Sequence, residues 1–327
     1  KLEAIRDLPA ETTDGVRIQL LGNIEFPYEV EQCHERGSDG IGLYRTEFLF
    51  LSGDAEPTEE QQYVAYREVA EAMRGQPVVM RTIDLGADKL PNLPAPEDER
   101  NPFLGLRSIR LALKHRLLFR TQLRAILRAS ASGNIRIMFP LISTLMELRQ
   151  AKSVLADAME DLEEEGHSFD RKLKVGMMVE VPSVVMMMDH FVDEVDFFSI
   201  GTNDLIQYAL AVDRSNKDVA GLYTASDPSI LRMIRMAVDG AVRHGTSISM
   251  CGQMCGNPLY TMFLLGIGLR SMSVTPAAIP EVKRVCRSVS LPLCQLVAER
   301  ALEFDSAHLV RTFLKEELSK VVPDIRI

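Results

Sequence analysis

Four short apolar segments of this chain each run directly into a residue that can take part in chemistry. These residues are Arg81, Glu180, the pair Asn203 and Asp204, and Cys251. A guanidinium group suits contact with phosphate or carboxylate, and carboxylates suit a hard cation. The residue types therefore indicate a site that handles an anion, with one cysteine beside it.

The apolar segments also indicate which elements position these residues. Apolar runs bounded by turn signals and separated by helical patterns are typical of parallel strands covered on both faces. Eight such segments are present, at residues 16–22, 40–47, 78–84, 135–140, 174–180, 196–203, 247–251 and 272–275. Alternation of strand and helix over eight repeats predicts an α/β fold, the parallel eight-stranded (β/α)8 TIM barrel, in which chemistry lies at the carboxyl ends of the strands.

Helix signals occupy the intervals between the strands. Thr58 with Gln61, and Thr144 with Glu147, form the capping-box pattern that begins a helix. Asp227 stands before a proline in the first helical position. Each of these three patterns ends at a glycine, at positions 75, 166 and 245.

The length of the chain fits one barrel with additions. At 327 residues it exceeds the usual barrel of about 250 residues, so we expect enlarged βα-loops, most plainly at 84–100. The end of the chain reads as two further helices, at 291–302 and 306–319. We therefore predict a single domain over 1–327, with a lead-in segment at 1–15 and C-terminal helices within 291–327.

Composition excludes several classes of protein. A net charge of -9 argues against nonspecific binding to nucleic acid or to an anionic membrane. The apolar stretches are too short to span a bilayer, and the charged start of the chain is unlike a signal peptide. The chain does not begin with Met, which suggests a piece of a longer protein.

The cysteines indicate a reducing environment. Five cysteines at irregular spacing argue against a disulfide framework and favour the cytoplasm. Cys251 and Cys255 could suggest zinc, but the sequence offers no second pair of ligands at a suitable spacing.

The arginines allow two interpretations. Arg45 and Arg81 end two apolar segments, and each could pair with a structural carboxylate such as Glu47 or Asp84. Two arginines at corresponding strand ends favour instead a bidentate contact with a phosphate or carboxylate ligand.

Two further arginines also allow two interpretations. Arg107 precedes a helix and Arg214 follows a loop, and either could form a surface ion pair or contribute to the site.

The carboxylates and the cysteine also have an ordinary alternative. Glu180 and Asp204 follow successive strands, so in a barrel they would repel each other unless a cation such as Mg²⁺ lay between them; the alternative is a salt bridge to an arginine. Gly201 would leave room for a ligand to approach the backbone. Cys251 is either a small buried apolar residue or a reactive thiol. We expect all six histidines to be structural or exposed.

Five segments, at residues 42–48, 101–105, 137–140, 196–205 and 211–214, resemble the C-terminal domain of the Enzyme I family, and the resemblance covers essentially the whole chain. Members of this family are the phosphoenolpyruvate–protein phosphotransferases of the bacterial phosphotransferase system, whose downstream carrier would serve either sugar transport or the nitrogen-related branch. Pyruvate phosphate dikinase and phosphoenolpyruvate synthase are similar more weakly.

The resemblance implies a role for each candidate residue. Phosphoenolpyruvate would be held by Arg45, Arg81, Asn203 and Arg214, with Arg107 and Lys89 at the edge of the site. Glu180 and Asp204 would ligate Mg²⁺, or Mn²⁺ in its place. Cys251 would protonate the enolate carbon to give pyruvate, so that Cys251, Arg45 and Arg81 would be the catalytic residues.

The resemblance also implies partners. The phosphoryl group would pass to a histidine on a separate N-terminal domain and then to a histidine-containing phosphocarrier protein, and the chain would form a homodimer in the cytoplasm. Two residues depart from the family pattern: Gln253 replaces a usual Glu, and Cys255 a frequent Ala. Loss of a negative charge at Gln253 would favour the thiolate of Cys251.

Two other functions remain open at this point. The chain could be a sensor that binds phosphoenolpyruvate without turnover, in which case Gln253 would mark a departure from the catalytic pattern of the family. It could also be a Mg²⁺-dependent C–C lyase that acts on pyruvate enolates. The transferase is favoured by the intact set of Arg45, Arg81, Glu180, Asp204 and Cys251.

Overall fold

Eight parallel strands close edge to edge into a barrel in the computed structural model, which describes residues 3–53, 55–90 and 99–325. The strands are β1 Gln19–Ile24, β2 Ile41–Arg45, β3 Val78–Arg81, β4 Ile135–Phe139, β5 Lys174–Val179, β6 Phe197–Ile200, β7 Ser247–Met250 and β8 Ser271–Val274. They pair in chain order, and β1 pairs with β8 to complete the circle. The predicted (β/α)8 barrel is therefore confirmed, with one strand in each predicted segment.

Helices surround the strands. They are α1 Glu29–Glu35, α2 Glu47–Leu51, α3 Glu59–Ala72, α4 Ser108–Lys114, α5 Arg116–Ser130, α6 Leu145–Glu164, α7 Pro182–Met186, α8 Met188–Phe191, α9 Thr202–Leu210, α10 Pro228–Arg243, α11 Gln253–Gly256, α12 Thr261–Gly266, α13 Ile279–Cys286, α14 Leu291–Ala301 and α15 Ala307–Val321. Short 3-10 turns occur at Glu3–Ile5, Ala87–Lys89, Pro102–Leu104, Ala220–Leu222, Pro258–Tyr260 and Pro276–Ala278. No helix of the described ranges is both long and apolar enough to cross a membrane.

The predicted helix starts are present because their capping groups satisfy backbone donors. Thr58 and Thr144 each form a reciprocal capping box, and Asp227 caps α10 ahead of its first-turn proline. Gly166 and Gly245, with φ of 77° and 71°, follow the ends of α6 and α10, where a left-handed backbone suits glycine.

The additions to the barrel lie largely where they were expected. Helices α14 and α15 correspond to the two predicted C-terminal helices, and α12 packs against α14. In the predicted long loop 84–100, the structure shows the turn Ala87–Lys89, while residues 91–98 of that prediction lie outside the described residues.

A layer of apolar side chains fills the barrel below its carboxyl end. It contains Leu43, Val79, Met138, Met178, Phe197 and Cys251. Residues two apart in a strand point to the same face, so Leu43 lies below Arg45 and Val79 below Arg81. The layer forms an apolar floor, and the charged residues lie above it at the mouth of the barrel.

Candidate active site

A cavity of about 760 Å³ opens at the carboxyl ends of the strands. Eight of the nine predicted site residues line it: Arg45, Arg81, Arg107, Glu180, Asn203, Asp204, Arg214 and Cys251. Lys89 is not among the lining residues and lies exposed in the turn Ala87–Lys89. The structure therefore brings together all of the candidates except this lysine.

Arg81 is held between two carboxylates. Its Nη2 lies 3.0 Å from Glu47 Oε1 and its Nη1 lies 2.9 Å from Asp84 Oδ2, with all three side chains largely buried. Burial raises the pKa of Glu47 even though Arg81 opposes the shift. Burial would also raise the pKa of Asp84, but Arg81 and Arg107 lower it to about 2. The pairing with structural carboxylates that the sequence allowed is thus present, and it fixes the orientation of the Arg81 guanidinium.

Arg107 bridges two acidic residues that are far apart in sequence. Its Nη2 lies 2.8 Å from Asp84 Oδ1 and 3.2 Å from Asp204 Oδ2, and its Nη1 donates to the Tyr208 hydroxyl at 3.3 Å. The side chain is only 10% exposed. The interpretation of Arg107 as a surface ion pair is therefore wrong, because the ion pairs are buried. Its guanidinium joins the β3 side of the cavity to α9.

Arg45 and Arg214 are the more accessible arginines of the site. Their side chains are 36% and 38% exposed, against 12% for Arg81. Arg45 pairs with Glu25, which follows β1, and Arg214 Nη2 lies 3.3 Å from Asp204 Oδ1. Partly exposed guanidinium groups can exchange such contacts for those of an incoming anion at lower cost than buried ones.

Glu180 and Asp204 form a pair of buried carboxylates. Glu180 Oε1 accepts a hydrogen bond from the backbone N–H of Leu141 at 2.6 Å, and no ion pair to Glu180 is present within the described ranges. Burial, followed by repulsion from Asp204 and Asp84, raises the pKa of Glu180 well above its usual value.

The two carboxylates fit a hard cation. Asp204 Oδ1 is buried without a hydrogen-bond partner among the described residues, although Arg214 lies within ion-pair distance. Oxygen atoms of one or two carboxylates, completed by water and substrate oxygens, are the ligand set that Mg²⁺ takes. No cluster of three or more metal-ligating side chains occurs within the described ranges, so substrate oxygens would have to complete such a site.

Gly201 makes room for Glu180 rather than for a ligand alone. A Cβ at Gly201 would lie 2.7 Å from Glu180 Oε2 and 2.8 Å from the sulfur of Met178. Gly201 also lines the cavity, so the expectation that it leaves room for a ligand to approach the backbone stays a prediction.

Asn203 and Asp204 belong to the first turn of α9 rather than to a strand. Strand β6 ends at Ile200, and Gly201 precedes the helix. Asn203 Oδ1 accepts from the backbone N–H of Gln253 at 3.1 Å. This bond ties α9 to the turn that follows Cys251.

Cys251 lies at the end of β7 with its thiol protonated at neutral pH. Cys251 is 4% exposed, and its Sγ lies 3.7 Å from the carbonyl oxygen of Ile200. Burial raises the pKa of Cys251 to about 11, although Ser199 and the nearby arginines oppose the shift. The expected bias toward the thiolate through Gln253 is thus outweighed by burial, and the sulfur carries a proton that it can donate.

Cys255 has a packing role. Its Sγ lies 3.0 Å from the carbonyl oxygen of Gly252 and 3.1 Å from that of Ser273, and the residue is fully buried. All five cysteines are free.

Sequence reasoning missed several residues of the cavity. Glu47 and Asp84 were considered only as structural partners, and Glu25 was not considered because β1 extends two residues beyond the predicted end. Tyr208 lies outside the cavity lining but accepts a hydrogen bond from Arg107, and it stands four residues after Asp204 in α9, a spacing that places both on one helical face and could have indicated it. Tyr223, whose hydroxyl donates to the Asn203 carbonyl oxygen, lies in a loop that gives no such signal.

Comparison with solved structures shows the same fold at low sequence identity. A citrate lyase from Burkholderia xenovorans superposes with a TM-score of 0.53 at 14% identity, covering 95% of this chain and 94% of that chain. At this identity the likeness concerns the fold alone.

Comparison with protein families and curated sequences is more specific. Proteins named phosphoenolpyruvate-protein phosphotransferase match with 47% identity in Geobacillus stearothermophilus, over 94% of this chain and 53% of that protein, and with 43% identity in Haemophilus influenzae, over 97% and 55%. The chain thus spans about half the length of these relatives. Residues 1–291 match the model of the PEP-utilising enzyme family, PEP-binding domain, where PEP is phosphoenolpyruvate. The chain therefore belongs to the family of PEP-binding domains of PEP-utilising enzymes.

Proposed function

We propose that this chain is the PEP- and Mg²⁺-binding half of a phosphoenolpyruvate–protein phosphotransferase. The observation that carries the proposal is a single cavity that combines four arginines, a buried pair of carboxylates and a buried thiol. PEP carries a phosphate, a carboxylate and an enol carbon that must gain a proton to become pyruvate. Each of these three groups has a chemical counterpart in the cavity.

The charge balance of the cavity supports a cation beside the substrate. The described lining contains four arginines and five carboxylates, namely Glu25, Glu47, Asp84, Glu180 and Asp204. Because the arginines are already matched by acidic residues, the site in its ionised form could not accept the further negative charge of PEP without help. Glu180 and Asp204 would hold Mg²⁺, or Mn²⁺ in its place. When bound, the cation would neutralise charge on the substrate oxygens.

The side chains of this protein would then orient and protonate the substrate. Arg45 would leave its ion pair with Glu25, and Arg214 its ion pair with Asp204, so that both guanidinium groups could contact the phosphate and carboxylate of PEP. Arg81 is held in place by Glu47 and Asp84 and would present its guanidinium in a fixed orientation. Asn203 would add an amide contact. Since phosphoryl transfer depends mostly on positioning and neutralisation of charge, these contacts supply what the step needs.

Cys251 would act as the acid. Phosphoryl transfer away from PEP leaves the enolate of pyruvate, whose carbon takes the Sγ proton and leaves a thiolate. Arg81 and Arg45 lower the pKa of this thiol against the larger effect of burial, and they would stabilise the thiolate when it forms. Lys89, which lies outside the cavity lining, would contact PEP only if its turn moved.

The phosphoryl acceptor is proposed to lie on another domain. None of the six histidines is among the described lining residues of the cavity. We propose a histidine on an N-terminal domain of the same protein as the acceptor and a histidine-containing phosphocarrier protein as the next carrier, in the cytoplasm.

A homodimer is part of the same proposal. Exposed apolar side chains occur on three adjoining segments: Leu104 before α4, Met146 in α6 and Met186 in α7. Arg110 links the first two segments, since it donates to the Leu104 carbonyl oxygen and lies 3.7 Å from Glu147. Ser183 in α7 donates to the carbonyl oxygen of Ser143, just before α6, at 2.9 Å and so links the third segment. A second copy of the chain would cover this apolar face.

Transfer of labelled phosphate tests the function. The chain is incubated with ³²P-labelled PEP and Mg²⁺, alone and with the histidine-bearing domain added as a separate polypeptide. We expect label on the added domain and release of pyruvate, at a low rate because the effective concentration of a tethered domain is lost. Stable label on this chain alone would place the acceptor here, and binding of PEP without any transfer would favour a sensor.

A further inference from the structure

We propose that Gln122 and Thr46 are positioning residues that fix the guanidinium of Arg81 for PEP binding. The inference rests on the proposed function, because it assigns a role in PEP binding to residues that lie behind the cavity. Neither side chain is among the residues that line the cavity, and both are fully buried.

The backbone that follows β3 needs partners from outside the sheet. Strand β3 ends at Arg81, and the next residues carry Asp84 into the site without a regular strand. Buried backbone groups in such a segment must find other hydrogen-bond partners. Side chains supply three of these partners in four residues. The Arg81 carbonyl oxygen accepts from Thr46 Oγ1 at 2.9 Å, Ile83 N–H donates to Gln122 Oε1 at 2.9 Å, and Asp84 N–H donates to Glu47 Oε1 at 2.9 Å.

Gln122 joins these contacts to one another. It extends from α5, and its Nε2 donates to Thr46 Oγ1 at 3.0 Å and to the Tyr66 hydroxyl at 3.3 Å. A single amide thus bonds both to the residue that follows Arg45 and to the residue two positions after Arg81. Since the α-carbons of Arg45 and Arg81 are register partners in β2 and β3, the network fixes two site arginines relative to each other.

The network has a second branch that serves as an internal comparison. The Tyr66 hydroxyl donates to Gln62 Oε1 at 3.1 Å, and Gln62 Nε2 donates to the Pro57 carbonyl oxygen at 3.0 Å. Gln62 is as buried as Gln122 and makes similar bonds, but it reaches neither Arg81 nor the residues after it. Loss of either glutamine should therefore lower stability, since each loss leaves buried polar groups unpaired. Only loss of Gln122 should also disturb the orientation of Arg81.

Four variants separate positioning from general stability. Calorimetric titration of PEP in the presence of Mg²⁺ is carried out on Gln122→Met, Thr46→Val, Thr46→Ser and the control Gln62→Met, with Arg81→Lys as the reference for a lost bidentate contact. Thermal unfolding is measured for each variant. Thr46→Val keeps the shape of the side chain and removes its hydroxyl, whereas Thr46→Ser keeps the hydroxyl.

We expect the PEP dissociation constant to rise about tenfold or more in Gln122→Met and Thr46→Val, as in Arg81→Lys. A rise of this size corresponds to the loss of about one hydrogen bond between the Arg81 guanidinium and PEP. Thr46→Ser and Gln62→Met should stay within about twofold of the parent, although Gln62→Met unfolds at a lower temperature.

Parental affinity in folded Thr46→Val would overturn the inference, and so would an equal loss in Gln62→Met. Thr46→Val decides the question if Gln122→Met does not fold. Failure of the parent chain itself to bind PEP would instead refute the proposed function.

Discussion

Glu180 is the residue whose charge is least supported by this structure. Its carboxylate is buried and receives one backbone hydrogen bond, and repulsion from Asp204 and Asp84 acts on it against a smaller attraction to Arg81. Such an arrangement costs stability in the free protein, and functional sites often carry costs of this kind. A cation that binds there would remove the cost.

Glu180→Gln should make the metal-free protein more stable. A carboxyl whose pKa is raised in the folded state loses its proton more readily in the unfolded chain, so its contribution to stability falls as the pH rises above the unfolded value of about 4.3. We expect the variant in EDTA to gain about 1–2 kcal/mol in free energy of unfolding at pH 7.5, a gain that disappears below pH ~4.5. Denaturant unfolding at both pH values measures this.

The exposed Glu164 provides the control for that experiment, since Glu164→Gln should change stability by less than about 0.5 kcal/mol. A parent protein that is more stable than Glu180→Gln at neutral pH would show that the carboxylate is well supported without a cation. In Glu180→Gln, Mg²⁺ should no longer raise the affinity for PEP.

Cys251→Ala should separate binding from protonation. We expect the variant to bind PEP like the parent while deuterium from solvent enters the methyl group of pyruvate more slowly in the presence of Mg²⁺, because the acid is gone. In the parent the donor form should persist across neutral pH and decline only as the pH approaches about 11, the value to which burial raises the pKa of this thiol.

Cys255→Ala is the matched control, because that buried sulfur only packs against carbonyl groups. Its exchange rate should stay close to that of the parent. Exchange as fast in Cys251→Ala as in the parent would leave Cys251 with a packing role alone.

The sequence predicted most of the site at the level of single residues, because strand ends in a parallel barrel converge on one mouth. It could not predict how the charges pair. Arg107 contacts Asp204 across 97 residues of sequence, and no local pattern encodes that contact. Gln122 also escaped notice, since a polar residue in a helix gives no sign that it is buried behind a site.

At the scale of elements, the packing of the added C-terminal helices depends on one close approach. A Cβ at Gly266, the last residue of α12, would lie 2.0 Å from the backbone oxygen of Cys294 in α14. Backbone cannot move aside as a flexible side chain can, so the two helices lie this close only because position 266 is glycine.

Gly266→Ala should therefore destabilise the fold without altering the cavity. We expect a loss of about 1–3 kcal/mol in the free energy of unfolding, as for other overpacked sites, with PEP affinity unchanged. The control is Gly221→Ala, where a new Cβ meets no atom within 4 Å and which should change stability little. Equal stability of both variants would show that α12 and α14 can separate freely.

Element prediction succeeded where the physical signal was local. Capping boxes located the starts of α3 and α6, and apolar runs located all eight strands. Predicted element boundaries were wrong where tertiary contacts decide them. The strand predicted at 196–203 ends at Ile200, because the residues from Thr202 onward form the first turn of α9. The single-domain prediction over 1–327 stays a prediction.

At the scale of the whole molecule, the proposed homodimer predicts a concentration-dependent assembly. Sedimentation of the parent chain at micromolar concentration should show a dimer, and a charged double variant, Met146→Glu with Met186→Glu, should show a monomer, because two charges would lie on the apolar face. Leu309→Glu, a similar change on α15, should leave the dimer intact. A monomeric parent, with and without PEP, would contradict the proposal.

We propose that the mouth of this barrel binds PEP together with a divalent cation. Calorimetric titration of PEP into the chain, once with Mg²⁺ and once with EDTA, tests it most directly. We expect a clear binding isotherm with Mg²⁺ and a large loss of affinity in EDTA, because the surplus carboxylate charge of the cavity then opposes the substrate. Equal affinity in both solutions would show that PEP binding does not depend on the cation, and absence of binding in both would contradict the proposed function.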